Sequence, residues 1–449
     1  MPYITNPLDL PVIQQLDNAE TAKAAILRPT RHFEIVTADN PDMIRTLALQ
    51  QQFVDQHLSA TSSATAAELD KKRAELIKQF QQPLSDQAFA EQLMLMEKIK
   101  EQGVPVHLLL EDKGMLESGD VDFYTDQIFA TDTGQYYDDK GELHFIAASF
   151  KNQQRQGEEH LAVAQAANLG AIVHGLTNQE GEKLTFEGGD IRQMIGKKLF
   201  FIGQGHRSDP ETAMAIARLS SYYVLPICLL QEQFYHLDCC FMPLPNDAAV
   251  LYEGEYQQDE QGKTLLDEKG WPLLCSGTET MTAESRALIR AVYPPEKLLL
   301  ISKLEALAYA TNAVVLQNPG NGHFKLFVNG VPRTEAIQND EQDALLKHKI
   351  SYSSAHIQEM LALSGGLLDI IETPYSTMHG SGGSVRCTVL ELACRKAALF
   401  PGKWHYSDAV DRLEAKLVRT GPSFFQAAPK PLAETSQAVT RDDISLAGL

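Results

Sequence analysis

Residues 378–392 read MHGSGGSVRCTVLEL, a glycine-rich stretch that runs into an apolar, strand-like segment. Glycine carries no side chain, so such a loop lets a ligand approach the backbone closely. Cys387 is the first residue of the predicted strand at 387–393, and Arg386 directly precedes it. A nearby cation lowers a thiol pKa toward the nucleophilic thiolate. The segment therefore predicts either a reactive Cys387 or an ordinary core cysteine at the start of a strand.

Upstream, FYHLDCCFMPL (234–244) places an imidazole and a carboxylate two residues apart. On a strand, His236 and Asp238 would face the same side. Such a pair can act as a general acid/base beside a cation-binding group. The plain alternative is a His–Asp pair on the surface.

Two further segments carry carboxylates next to turn-forming residues. In FEGGD (186–190), Glu187 precedes two glycines, and in YTDQIFATDTG (124–134), Asp126 and Asp132 lie on either side of Phe129. We expect the second segment to be a strand end on which both aspartates face the same way. Either segment could instead be an ordinary turn built from Asp, Thr and Gly.

The rest of the chain alternates between strand-like and helical stretches. HFEIVTA (32–38) predicts the first strand, and 41–103 predicts a helical insertion with two charged helices at 66–80 and 86–102. Beyond it, a unit of strand, strand, helix and strand recurs in pattern without visible identity, which predicts an α/β fold. We expect an N-terminal extension at 1–29 and one catalytic domain at 30–400 with a further insertion at about 246–305. Residues 401–449 would form a C-terminal helix and flexible tail.

Composition narrows the class of protein. The 449 residues are 44% hydrophobic and 22% charged, as in ordinary globular proteins, and the net charge of −20 disfavours nucleic acid or an anionic membrane as partner. The N-terminus lacks a secretory pattern, and the longest apolar run, at 222–230, is too short to span a bilayer. The six cysteines form no CxxC pair, and the GxG at 320–322 does not open a helix. These features predict a cytoplasmic protein with reduced thiols and without a metal or nucleotide cofactor.

The order of the four segments is more specific than any one of them. DxxFxxDT, FEGGD, HLDxxF and a glycine-rich loop ending in RCT resemble, over roughly residues 30–393, the guanidino-group-modifying enzymes. These are the arginine deiminases, agmatine deiminases, dimethylarginine hydrolases and amidinotransferases, which share the pentein fold. The resemblance implies an α/β, five-bladed pseudosymmetric propeller of strand–strand–helix–strand units, with helical insertions, around a central active site.

The resemblance also implies a role for each motif residue. The expected catalytic residues are the nucleophile Cys387, the general acid/base His236 and its supporting carboxylate Glu187. The expected substrate-binding residues are Asp132, Asp238, Asp126, Phe129 and Arg207. The substrate would be arginine or an arginine-like guanidine, converted to a ureido product through a covalent thiouronium on the cysteine, with no cofactor and no metal.

Guanidinium chemistry accounts for these residue types. The group is planar and protonated near neutral pH, so paired carboxylates can hold its N–H groups while a thiolate attacks the carbon. The chain departs from the arginine deiminases at Ser381, which stands where they carry an arginine. Arg207 could still bind a substrate carboxylate in its place. Three functions stay open: hydrolysis, transfer of the amidino group to an amine acceptor, and a non-catalytic binding module. Homo-oligomerisation is also left open.

Overall fold

The computed structural model describes residues 3–30, 33–35, 38–58, 65–109 and 126–394. In this part of the chain, fifteen strands form five three-stranded sheets, and the predicted mixed α/β architecture is confirmed. The strands are β1 (Ala22–Leu27), β2 (Val106–Leu108), β3 (Gly134–Asp139), β4 (Glu142–Ala147), β5 (Ile172–His174), β6 (Ile191–Gln193), β7 (Leu199–Gln204), β8 (Tyr223–Cys228), β9 (Phe241–Leu244), β10 (Ala248–Leu251), β11 (Leu298–Leu300), β12 (Val314–Gln317), β13 (Phe324–Asn329), β14 (Leu368–Thr373) and β15 (Val389–Ala393).

All five sheets have the same internal topology. Their strand orders are β15–β1–β2, β3–β4–β5, β6–β7–β8, β9–β10–β11 and β12–β13–β14. In each sheet the first strand of this order pairs antiparallel with the middle strand, and the middle strand pairs parallel with the third. A parallel pair needs a long crossover connection, which a helical segment supplies in every unit. This is the repeated unit that the sequence pattern predicts.

Ten α-helices lie in the described ranges. They are α1 (Pro41–Leu58), α2 (Ala66–Glu101), α3 (Glu159–Asn168), α4 (Thr212–Leu219), α5 (Ala283–Val292), α6 (Lys303–Leu307), α7 (Glu335–Asn339), α8 (Glu341–Leu346), α9 (Ser354–Leu363) and the single turn α10 (Val385–Thr388). All except α6 and α10 lie in the crossovers between the middle and third strands of a sheet. None of these described helices combines the length and apolarity needed to span a membrane.

The sheet β15–β1–β2 joins the N-terminal and C-terminal ends of the described fold. β1 pairs antiparallel with β15, so that Ile26 lies opposite Leu390. The predicted first strand at 32–38 is wrong where it can be checked, because residues 33–35 are not in a strand. The run AKAAIL has weak intrinsic strand propensity, and it forms a strand because β15 and β2 flank it. The segment at 1–29 thus supplies a strand to the sheet system.

The helical region at 41–103 is confirmed, with different internal boundaries. The helices predicted at 66–80 and 86–102 form one continuous helix, α2, although Pro83 lies inside it. Ser85, directly before the second predicted helix, is buried within this helix. Thr65 caps it instead, in a reciprocal capping box with Glu68. Gly103 follows the helix with a φ of +73°, the left-handed conformation expected at that position.

The insertion predicted at about 246–305 is only partly an insertion. β10, α5 and β11 all fall in this range and complete the sheet β9–β10–β11. Between β10 and α5 the chain makes isolated bridges, such as Tyr256 with Leu274, outside the named strands. The sequence analysis missed β10 because this strand has only four residues and the polar segment that follows it is longer, so the whole stretch was assigned to an insertion. The predicted tail at 401–449 lies outside the described residues.

Candidate active site

The candidate functional residues occupy equivalent places in the five sheets. Each lies two to five residues before the strand that stands first in its sheet order, namely β3, β6, β9, β12 or β15. The residues are Asp132, Glu187, His236, Asp238, Asn312 and Cys387. All six are at most 3% exposed. The repeated topology therefore places polar side chains from five distant segments at one buried site.

Turns, and not strands, carry these side chains. Cys387 lies in the helical turn α10, and the predicted strand begins only at Val389. His236 precedes the 3₁₀ turn Leu237–Cys239 and Asp238 lies within it, so the prediction that they share one face of a strand is wrong. Asp132 lies in another 3₁₀ turn, Ala130–Thr133. Because these turns are buried, the facing of each side chain depends on tertiary contacts and not on strand parity.

Asn312 is the polar residue that contacts the Cys387 thiol most closely. Its Nδ2 donates to Cys387 Sγ at 3.0 Å, and its Oδ1 accepts from the backbone N–H of Cys387 at 3.2 Å and of Ser384 at 3.0 Å. Its own carbonyl accepts from the N–H of Arg386. Sequence analysis missed Asn312. The signal was a polar residue just before the apolar run that begins at Ala313, since the other site residues also lie shortly before a strand.

The surroundings of the Cys387 thiol favour its neutral form. Burial raises its pKa well above the ordinary value, and the carboxylates of Asp238 and Asp132 raise it further. The thiol donates to Asp238 Oδ2 at 3.9 Å. Arg386 was expected to lower this pKa, but its guanidinium donates instead to Thr131 Oγ1 at 2.7 Å and to the carbonyl of Val389 at 2.8 Å. The Arg386 guanidinium therefore stabilises the loop that carries Cys387.

His236 is held as an imidazolium by surrounding carboxylates. Its Nε2 lies 2.9 Å from Glu187 Oε2, and its Nδ1 lies 3.8 Å from Asp132 Oδ1 without a hydrogen bond. Burial alone would lower the pKa of His236, but Asp132 and the hydrogen bond to Glu187 outweigh burial and raise it to about 9. The pKa of Glu187 falls to about 2 despite burial, because Arg207 and His236 stabilise the carboxylate. His236 can therefore donate a proton at neutral pH.

The two aspartates of the 126–132 segment offer unpaired oxygens inside the protein. Oδ1 of Asp126 and Oδ1 of Asp132 are buried without a hydrogen-bond partner. The other oxygen of Asp132 accepts from Arg155 Nη1 at 2.9 Å, and Arg155 also pairs with Glu158 at 2.9 Å. Burial raises the pKa of Asp126 to about 6. Sequence analysis did not single out Arg155, which lies in a polar loop without a motif.

A cavity of about 310 Å³ lies beside these residues. Five of the eight predicted site residues line it: Asp126, Phe129, Asp132, Arg207 and Cys387. The other three lie directly behind, because His236 and Glu187 contact Asp132 and Arg207, and Asp238 contacts Cys387. A wider cavity of about 1050 Å³ shares Asp39, Asn40, Arg207 and Tyr235 with it. The structure thus groups all eight predicted residues around one chamber with a wider approach.

Glycines make this close grouping sterically feasible. A Cβ atom on Gly189 would lie 2.5 Å from His236 Nδ1, and one on Gly383 would lie 2.7 Å from Phe129 Cε1. Both distances are shorter than real Cβ contacts. The glycine pairs of FEGGD and SGGS are therefore explained by packing against site residues.

Asp132, Glu187 and His236 also bring one ligand atom each within 4.8 Å of one another, as a metal site would. Two arginines already neutralise this group, since Arg155 pairs with Asp132 and Arg207 with Glu187. A divalent cation would face these cations and a protonated imidazole. The residues present therefore fit a cationic organic substrate better than a metal.

Comparison with known proteins identifies the family. A model of the family "N,N dimethylarginine dimethylhydrolase, eukaryotic" matches residues 58–369. The bifunctional arginine dihydrolase/ornithine cyclodeaminase AgrE of Nostoc sp. is 23% identical over 299 residues, which are 66% of this chain and 34% of the relative. The bifunctional arginine dihydrolase/ornithine cyclodeaminase ArgZ of Synechocystis sp. is 26% identical over 270 residues, which are 60% of this chain and 29% of the relative. This chain thus spans about a third of the length of these relatives.

Solved structures show the same fold. The substrate-bound N-terminal domain of ArgZ, an arginine dihydrolase from the ornithine–ammonia cycle in cyanobacteria, is 21% identical with a TM-score of 0.52 and covers 83% of this chain and 98% of that domain. AgrE in complex with ornithine and NAD⁺ is 19% identical with a TM-score of 0.52, covering 82% of this chain and 39% of AgrE. The family match ends at residue 369, so the place of Cys387 rests on the geometry described above. The chain belongs to the N,N-dimethylarginine dimethylhydrolase family of guanidino-group-modifying enzymes, as its motif order predicts.

Proposed function

We propose that this chain hydrolyses the guanidino group of arginine or an arginine-like compound, with Cys387 as the nucleophile. One observation carries the proposal: a thiol and two carboxylates with unpaired oxygens line a single buried chamber, and an imidazolium lies directly behind them. Such a set of groups can bind a planar guanidinium cation while a thiol attacks its central carbon. The family match and the arginine dihydrolases among the relatives support the same class of substrate.

The carboxylates would hold the guanidinium in the chamber. Oδ1 of Asp132 and Oδ1 of Asp126 lack partners, so the substrate N–H groups can supply the missing hydrogen bonds. Asp238 lies next to the thiol and would orient the reacting carbon toward it. Phe129 lines the chamber and offers an apolar face to the guanidinium plane. Positioning of this kind can lower a barrier by roughly 7–11 kcal/mol in favourable cases.

The substrate itself would activate the thiol. Its positive charge offsets the carboxylates that raise the pKa of Cys387, which favours the thiolate. The thiol proton passes to Asp238, and the Sγ–C bond forms. His236 then protonates the leaving amine as the C–N bond breaks, which leaves a thiouronium on Cys387 and a neutral imidazole.

Hydrolysis completes the cycle. His236 takes a proton from water as the hydroxide adds to the thiouronium carbon, so the imidazolium is restored. The C–S bond then breaks, and the ureido product leaves. The proton of the new hydroxyl returns to Cys387, and the proton held on Asp238 is released to the departing amine through solvent.

Arg207 is proposed to recognise the substrate tail. It lies at the junction of the two cavities, pairs with Glu187 at 3.5 Å and stacks 4.8 Å from the Tyr235 ring. Its Nη2 also donates to the carbonyl of Asp39 at 3.2 Å. Arg207 lines the wider cavity, where a carboxylate on the substrate tail would bind. Substrates with a carboxylate should therefore be preferred over agmatine, which lacks one.

A product screen tests the proposed activity. Purified protein is incubated with arginine, agmatine and methylated arginines, and ureido product is measured by colour reaction beside Cys387→Ser. We expect product from the wild type and none from the variant, with unchanged circular dichroism. Equal product from Cys387→Ser would refute the assigned nucleophile.

Amidino transfer would start from the same intermediate. Adding glycine, ornithine or lysine as acceptors separates the two reactions, since transfer would give a new guanidino compound in place of urea-type product. The binding-module alternative is tested by a haloacetamidine probe, which alkylates a competent Cys387 and leaves an incompetent one unmodified.

We further infer that the five sheets are blades of a pseudosymmetric propeller around the site. The shared topology and the shared place of the site residues before β3, β6, β9, β12 and β15 support this arrangement. We propose one catalytic domain from about residue 22 to 400, which extends the sequence prediction to include β1. A crystal structure in which these five strands do not surround a common axis would contradict the inference.

A cytoplasmic location stays a proposal. Cys228, Cys239, Cys240, Cys275 and Cys387 are free thiols, as in a reducing compartment. Fractionation of the producing cell tests it, and recovery from an oxidising compartment would contradict it. Sedimentation analysis decides the oligomeric state.

A further inference from the structure

A third cavity, of about 470 Å³, lies farther along the same five strands that follow the active-site residues. Each of β3, β6, β9, β12 and β15 contributes at least one residue to its lining, among them Gln135, Arg192, Pro243, Val315 and Glu391. The described lining of this cavity shares no residue with that of the chamber beside Cys387. The cavity is therefore distinct from the chamber that Cys387 lines.

Arg192 is an unusual residue for such a position. It is 5% exposed, its Nη1 is buried without a hydrogen-bond partner, and within the described ranges it makes no ion pair. Burial lowers its pKa to about 10, and Arg386 contributes to the lowering, so the group is still charged at neutral pH. A buried cation without a partner is costly, and a cavity beside it gives room for a counter-charge.

The two carboxylates at this cavity already have cationic partners. Glu20 pairs with Lys23 at 2.8 Å, and Glu391 pairs with Arg386 at 3.4 Å. When these pairs are counted as neutral, Arg192 leaves an excess of one positive charge. Glu20 and Thr21 are partly exposed, so a small solute can reach the cavity from solvent.

We propose that this cavity binds a small carboxylate, which Arg192 holds through two parallel N–H···O hydrogen bonds. A planar monoanion matches both the single excess charge and the geometry of the guanidinium fork. The described lining holds no second basic residue, as a phosphate dianion would need. Lys23 and Arg386, which pair with the lining carboxylates Glu20 and Glu391, are not part of it. The proposal does not depend on the catalytic function.

Acetate is the probe for this site. Its binding to the full chain is measured by titration calorimetry in halide-free buffer at constant ionic strength, for the wild type and for Arg192→Gln, Arg207→Gln and Arg73→Gln. Arg207→Gln reports binding in the active site, and Arg73 is an exposed control on α2. We expect saturable binding with a Kd on the order of 1 mM in all but Arg192→Gln, where affinity falls at least tenfold.

Two outcomes would overturn the proposal. If Arg192→Gln binds acetate like the wild type, the acetate lies elsewhere; if the wild type does not bind, the cavity holds only water. Arg192→Lys keeps the cation but loses the fork, so it tests the site even if the glutamine variant misfolds. We expect this variant to bind about tenfold more weakly, and an unchanged Kd would contradict the bidentate contact.

Discussion

Replacing Asn312 should affect both the thiol and the loop that carries it. Asn312 donates to Cys387 Sγ and accepts from two backbone N–H groups, so one side chain makes three buried hydrogen bonds in this loop. In Asn312→Ala, the amides of Ser384 and Cys387 lose their acceptor at about 1–3 kcal/mol each, or roughly 2–6 kcal/mol of unfolding free energy in total. The thiolate also loses one charge-assisted hydrogen bond.

The loss at the thiolate predicts the size of the kinetic effect. A hydrogen bond to a charged group is worth about 1.5–3 kcal/mol, so kcat/KM for the preferred guanidine should fall by about 10- to 150-fold. The acidic limb of the pH profile of kcat/KM should also move to higher pH, because the missing donor raises the pKa of Cys387. A role confined to stability would lower the amount of folded protein and leave this limb in place.

Asn312→Asp separates the two effects. The carboxylate keeps an acceptor for both backbone N–H groups but loses the donor and adds a negative charge beside Sγ. We expect near-normal urea unfolding with kcat/KM reduced at least 100-fold, while exposed Asn321→Ala serves as the control. Activity within about threefold of the wild type in Asn312→Asp would refute the assigned role.

Three other predictions follow from the geometry. The pKa of His236 in the folded protein is about 9, above its ordinary 6.5, so the stabilisation it provides is complete below about pH 6.5 and is lost as the pH rises through about 9. The unfolding free energy of the wild type, measured with urea, should therefore fall by up to about 3 kcal/mol across that window. The same measurement on His236→Gln should show a flatter dependence on pH. Gly189→Ala should displace the imidazole, since its Cβ would lie 2.5 Å from His236 Nδ1, and should lower kcat at least tenfold with little change in the circular dichroism spectrum; full activity would contradict the packing argument. Arg155→Met should cost about 3–5 kcal/mol in urea unfolding, because the buried Glu158 and Asp132 lose their partner, and a loss below 1 kcal/mol would show that these carboxylates are protonated or solvated.

The types of the site residues could be recognised in the sequence because the chemistry is concentrated in short segments. HLD, FEGGD and RCT each place a reactive side chain beside a turn or glycine pair, and their order along the chain is independent of how the chain packs. The recurring strand–strand–helix–strand pattern likewise follows from local apolar spacing, and the five sheets confirm it.

Local reasoning failed where the partner of a residue lies far away in the chain. Cys387 and His236 were placed on strands because apolar runs follow them, but both occupy buried turns. β1 was missed because AKAAIL becomes a strand only between β15 and β2. The insertion at 246–305 was overestimated for a similar reason, since β10 is defined by its pairing with β9 and β11.

By itself, the sequence indicated the candidate site residues, their order and the repeated α/β unit, because these depend on residue identity and short-range periodicity. Only the tertiary structure decided which groups meet: Asn312 reaches Cys387 across 75 positions, and Glu187 reaches His236 across 49. It also decided the charge states, because the neutral thiol and the protonated imidazole arise from burial and from carboxylates on other sheets. The interaction between two charges depends on their distance and on the water excluded around them, and neither quantity can be read from a linear chain.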